Sequence, residues 1–159
     1  MNSKNKNQII GIILAVFMLI ALLNSGYFFL GILKLGIGQW LAFNACSLVS
    51  IIYLISFVVS LKKRNSTCLS ATLLPMYYYG TMGLFIMPWN EANIFAHLTH
   101  IIMTCTILWV LLCIIKEHRV EESGKAVLVS IFIYVPLFAL IQIYNQRHLE
   151  EFMQVLQNM

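Results

Sequence analysis

Hydrophobic residues in this chain are gathered into long runs separated by short polar intervals, with neither the alternation of a half-buried strand nor the one-sided stripe of a surface helix. Between Asn65 and Ile115 the only charged residue is Glu91, and it divides two runs each long enough to cross a hydrocarbon core of ~30 Å. The same pattern along the chain predicts five spans, over residues 9–30, 40–61, 68–88, 94–115 and 126–144. Backbone groups in lipid need partners within their own segment, so runs of this kind are helices. The expected fold is all-α: a polytopic membrane protein with a five-helix antiparallel transmembrane bundle, forming a single transmembrane domain over residues 1–159.

The intervals between the runs are turns. Lys34 to Gln39, with Gly36 and Gly38, makes the first outer turn, and Lys62 to Thr67 the first inner one. Pro88 and the short interval to Ala92 join the third and fourth helices in a close hairpin. Lys116 to Lys125 mixes both charge signs and reads as a solvated linker. Pro75 and Pro136 fall inside the third and fifth runs, where each removes a backbone donor and can kink its helix. Gly11 with Ala15, and Ser56 with Ser60, have the small-xxx-small spacing that lets helices approach closely. Beyond Tyr144 the chain turns polar, yet Leu149, Phe152, Met153 and Leu156 keep one helical face apolar. Residues 146–158 are therefore expected to form a short amphipathic helix on the outer leaflet.

Composition agrees, with 60% hydrophobic residues, 10% charged and a mean hydropathy of +0.85. No Gly-rich phosphate loop and no long basic segment is present, which argues against nucleotide or nucleic-acid binding. The net charge of +4 gains meaning when it is sorted by membrane side. With five spans, Lys4, Lys6, Lys62, Lys63, Arg64, Lys116, Arg119 and Lys125 share one side, against only Lys34 and Arg147 on the other. That bias puts the N-terminus in the cytoplasm and the C-terminus outside a cell membrane, with Trp40 and Trp89 at the outer interface. Lys4 and Lys6 before an apolar run resemble a signal peptide, but no small-x-small site follows, so the run is expected to stay as the first helix. The sequon Asn65-Ser66-Thr67 lies beside the basic cluster, on the side where glycosylation is not expected. Cys46, Cys68, Cys105 and Cys113 show no C-x-x-C pair; Cys46, Cys105 and Cys113 fall within spans and suit small packing residues, while Cys68 follows the basic cluster, a place where a cysteine can be acylated.

One polar pattern stands out. Asn90, Asn93, His97, His100 and Thr104 fall within an arc of roughly 80° at about 100° per residue, on an otherwise apolar helix. Such groups are costly in hydrocarbon and belong on a bundle interior or a cavity, which makes the stripe the candidate site. From the outer end, His97 lies at a depth of roughly 7 Å, His100 of roughly 12 Å and Thr104 of roughly 18 Å. Asn24, Asn44, Tyr78 and Gln142 fall in the same outer half, drawn from the other spans. This one-sidedness predicts a cup open to the outside or the outer leaflet, since a conducting path needs polar groups on both sides of the midplane.

The ligand-binding set expected from this pattern is His97, His100, Asn93, Thr104, Tyr78, Asn44, Gln142 and Asn24. His97 and His100, at i and i+3, share a helix face and can join a transition metal, although the i, i+4 spacing and fixed Glu of a known zinc helix are both missing. The same imidazoles can serve acid-base catalysis, or can simply hydrogen-bond to Asn24, Asn44, Gln142 or a tyrosine and hold the bundle together. Three functions follow. The leading one is binding of a small or lipid-like molecule in an outward-opening pocket, as a bilayer protein acting alone or as an accessory subunit of a membrane complex. The second is an intramembrane enzyme using His97 and His100, and the third a transporter formed by a homo-oligomer.

Overall fold

The structure, a computed structural model, describes residues 3–63 and 67–157. All of the regular structure among them is helical. Arg64, most of the sequon and Asn158 lie outside the described residues.

Among the described residues, four helices are long and apolar enough to cross a membrane: Asn7–Ile32, Ala45–Lys63, Ile94–Lys116 and Val120–Gln157. The first begins as α1 (Ser3–Gly26) and continues through a wider π-helical turn, Tyr27–Ile32. It ends at Lys34, which takes the left-handed conformation (φ 53°) so that Leu35 N–H reaches back to the Phe29 carbonyl. Gly36 and Gly38 do not supply that turn; Gly36 is extended and starts α2 (Ile37–Phe43). The run expected over 40–61 is divided at Asn44 (φ −122°, ψ 66°), after which α3 (Ala45–Lys63) completes it.

The run expected over 68–88 is not one helix. It consists of α4 (Thr67–Ser70), α5 (Leu73–Met76), a π-helical turn at Tyr77–Thr81 and α6 (Gly83–Ile86). The break has a local cause. The Thr72 hydroxyl donates to the Leu69 carbonyl at 2.7 Å, and Pro75, which has no N–H to give, then falls in the first turn of α5, where a helix has no partner for that group anyway. The interruption is tolerated because the segment is packed among α3, α7 and α8, which shelter its backbone.

After a 3-10 turn, Glu91–Asn93, the chain enters α7 (Ile94–Lys116), the central helix, which packs on α1 and on the whole broken segment. Its small-residue contacts are specific. Gly11 faces α7, with Ala15 buried one turn further along α1, and the Trp109 indole lies across Gly11 so closely that a Cβ there would overlap the ring, while its N–H donates to the Asn7 carbonyl at 3.0 Å. The Cys68 thiol meets the Ser56 carbonyl at 3.4 Å, joining α3 to α4. The buried core then runs through Met18, Val49, Tyr53, Leu69, Met76 and Met103.

The charged interval after Lys116 is shorter than the expected linker. α7 closes with His118 in the left-handed conformation and with Arg119 N–H bonded to the Ile114 carbonyl, and α8 begins at Val120. Arg119 pairs with Glu122 at 3.0 Å and Lys125 with Glu121 at 2.7 Å on this exposed end. α8 (Val120–Gln157) stays helical through Pro136 and through the polar stretch after Tyr144. At about 1.5 Å per residue it is ~57 Å long, well over a hydrocarbon core. The expected separate tail is the end of this helix. Asn145 donates to the Ala42 carbonyl at 2.9 Å, and Phe152 stacks on Phe43 (ring centroids 4.2 Å apart) and on Phe29 (6.3 Å). These contacts turn the Phe152 side toward α2 and leave Leu149 and Met153 exposed, dividing the apolar face of the sequence pattern in two.

Candidate functional site

The hairpin between the broken segment and α7 is built around its turn. Met87 is extended, Asn90 caps the 3-10 turn by accepting the Asn93 N–H at 3.0 Å, and the Asn93 side chain donates to the Pro88 carbonyl at 3.0 Å. The same carbonyl lies 3.2 Å from His97 Nε2. A carbonyl only accepts, so Nε2 carries the proton and, in the neutral ring, Nδ1 is left as an acceptor.

His97 and His100 are 1% and 4% exposed, on the face of α7 that meets the hairpin. Their rings stand edge to face, centroids 6.5 Å apart. Trp89 covers His97 from outside, stacked at 3.9 Å and 6° from parallel, with its indole N–H held by the Leu84 carbonyl at 3.1 Å. His100 sits against Gly83, where a Cβ would overlap the imidazole, and Met103 sits against Gly80, where a Cβ would come within 2.8 Å of the Met103 Cβ. These two glycines are required by close approach: only hydrogen at both positions lets the hairpin close on α7. Deeper in the seam, Thr104 donates to the His100 carbonyl at 2.9 Å and shares a 3.0 Å hydrogen bond with Thr81 across the two elements.

Two polar atoms of the seam, His97 Nδ1 and His100 Nδ1, are buried without a hydrogen-bond partner, a condition shared among the described residues by Tyr53, Ser70, Tyr79, Ser123 and Asn145 side-chain oxygens elsewhere in the bundle. An unmade hydrogen bond on a buried group costs about 1–3 kcal/mol; what distinguishes the seam is that two such atoms belong to neighbouring imidazoles, ring centroids 6.5 Å apart.

Of the residues expected to share a site, the structure brings together His97, His100, Thr104 and Asn93, the last through the shared Pro88 carbonyl. The others lie apart. Asn44 donates to Ser25 at 2.6 Å, in a separate knot where the Ser25 hydroxyl also meets Trp40 Nε1 and Ser47 and where Cys46 donates to Asn44. This draws Trp40 into the bundle, in contrast to the exposed Trp89. Tyr78 is exposed and stacks on Phe138 of α8 at 5.0 Å, and Asn24 and Gln142 are exposed. Sequence reasoning did not pick out Trp89, Gly83, Gly80 or Thr81 as parts of this seam. The paired glycines three apart, facing the histidines across a hairpin, were the available signal.

Among the described residues no group of three or more His, Cys, Asp or Glu side chains is gathered to hold a metal ion. The two imidazoles are the nitrogen donors at the seam, and Glu91 is exposed on the turn outside it. A small cleft of about 30 Å³ lies elsewhere, between Leu35, Gln39 and Phe43 on one side and Glu151, Phe152 and Val155 on the other. Compared with known proteins, the chain matches no family model, no curated protein and no solved structure.

Proposed function

We propose that this chain is a small cell-membrane protein that binds a small or lipid-like molecule at the His97–His100 seam. It crosses the bilayer five times, with the discontinuous segment 67–86 as the third crossing, the N-terminus cytoplasmic and the C-terminus external. The eight-to-two bias of basic residues supports that orientation. It acts alone or as an accessory subunit of a membrane complex, and its last turns form an amphipathic extension beyond the outer face.

The observation that carries the binding reading is the pair of buried imidazoles, each with an unpartnered Nδ1, of which His97 is covered by the Trp89 indole. A ligand that donates a hydrogen bond would satisfy the His97 Nδ1 acceptor once Trp89 moves aside. The bond from His97 Nε2 to Pro88 supports a second reading, an intramembrane enzyme, because the lone pair it leaves on Nδ1 suits a general base.

Native mass spectrometry and lipid extraction of the purified protein test the first reading against the double variant His97→Leu/His100→Leu. A molecule that co-purifies with the wild type and is lost from the folded variant supports binding. Identical extracts would refute it, and a chemically altered molecule released on turnover would favour the enzyme.

A further inference from the structure

We infer that the seam takes its ligand sideways from the outer leaflet, past Trp89, and that this ligand is a neutral lipid of the diacylglycerol type with a hydroxyl-bearing headgroup. The inference rests on the reading of the seam as a binding site and adds its route and chemical class.

The route follows from what surrounds the cover. Trp89 is 67% exposed, and beside it Phe85, Ile86 and Phe95 are 80%, 76% and 68% exposed. Aromatic and branched apolar side chains at this density, at the outer end of a membrane hairpin, face acyl chains and the interface rather than water. The Trp89 indole, anchored by its hydrogen bond to the Leu84 carbonyl, has one face on the His97 ring and is itself part of this apolar surface.

The chemical class follows from charge and from donor count. His97 Nδ1 is an acceptor once Nε2 donates to Pro88, so it calls for a donor such as a hydroxyl. No cation is available to clamp a phosphate: over residues 77–104 the only formal charge is the carboxylate of Glu91, which repels an anionic headgroup. The basic residues assigned to the outer side, Lys34 and Arg147, belong to the α1–α2 turn and to the end of α8.

Photoactivatable, clickable diacylglycerol, the matching phosphatidic acid and a water-soluble glycerol analogue, each added to the full-length protein in phosphatidylcholine vesicles, test this. The expected result is diacylglycerol labelling concentrated in residues 83–100 and suppressed by excess unlabelled diacylglycerol, with phosphatidic acid labelling about tenfold weaker, a margin equal to about one hydrogen bond. Labelling should accelerate in Trp89→Ala. Equal labelling by phosphatidic acid would overturn the neutral headgroup, and an unchanged rate in Trp89→Ala would overturn the route. If the glycerol analogue labels the seam and the lipid does not, binding stands and lateral entry falls. If no probe is enriched there over the other lipid-facing helices, both fall. Competition on the wild type decides the matter even where a variant does not fold.

Discussion

Trp89 lies flat on His97, ring centroids 3.9 Å apart and planes 6° from parallel, although the indole is mostly exposed and the imidazole almost fully buried. The pair is the boundary between the outer surface and the polar seam. Removing the indole should open that boundary. In Trp89→Ala, modification of His97 by diethyl pyrocarbonate, followed by peptide mass spectrometry, is expected to become much faster, with a stability loss of about 0.5–1.5 kcal/mol for the stack. An unchanged rate would show that something else closes the site.

Close approach at two glycines sets the second expectation. Gly83→Ala pushes a methyl into the His100 ring and Gly11→Ala pushes one into Trp109, so each should cost about 1–3 kcal/mol in thermal or denaturant unfolding. Gly38, where an added methyl would meet nothing within 4 Å, is the control. Its alanine variant should be neutral or more stable by up to about 1 kcal/mol.

His100 separates a structural from a functional role. Its Nδ1 is already unpartnered, so His100→Leu removes a buried polar atom of no use to the fold and should leave the melting temperature unchanged or raised. A loss near or above about 2 kcal/mol, beyond measured interhelical hydrogen bonds in membranes, would identify His100 as part of the scaffold.

Topology is tested by fusions. Reporters placed after Arg64 and after Arg119 should be cytoplasmic and one at the C-terminus external. A cytoplasmic C-terminus would remove the basis for five crossings.

Phe152 holds the end of α8 to the first two helices through its stacks on Phe43 and Phe29. Phe152→Ala should cost about 1–3 kcal/mol, toward the low end because the ring is only half buried, and should speed amide exchange over residues 145–157 selectively. Uniform exchange in wild type and variant would mean that the extension is held by the continuity of α8 alone.

What the sequence determined by itself is the helical membrane class and the shared face of His97, His100 and Thr104, because both depend on composition and on a fixed rotation per residue. Burial of both histidines follows from the cost of polar groups in hydrocarbon and was legible for the same reason. Contacts between elements far apart in the chain were not. Asn44 turned to Ser25 rather than to a histidine, Tyr78 turned outward to Phe138, and Trp40 was drawn inward while Trp89 folded over His97. Nor did hydropathy reveal that the third run breaks at Thr72, since breaking depends on a side-chain hydrogen bond and on neighbours that shelter the irregular backbone. Periodicity fixes the direction of a side chain around its own helix; only the tertiary structure decides what stands opposite, because that depends on how closely small residues such as Gly80 and Gly83 let two elements approach.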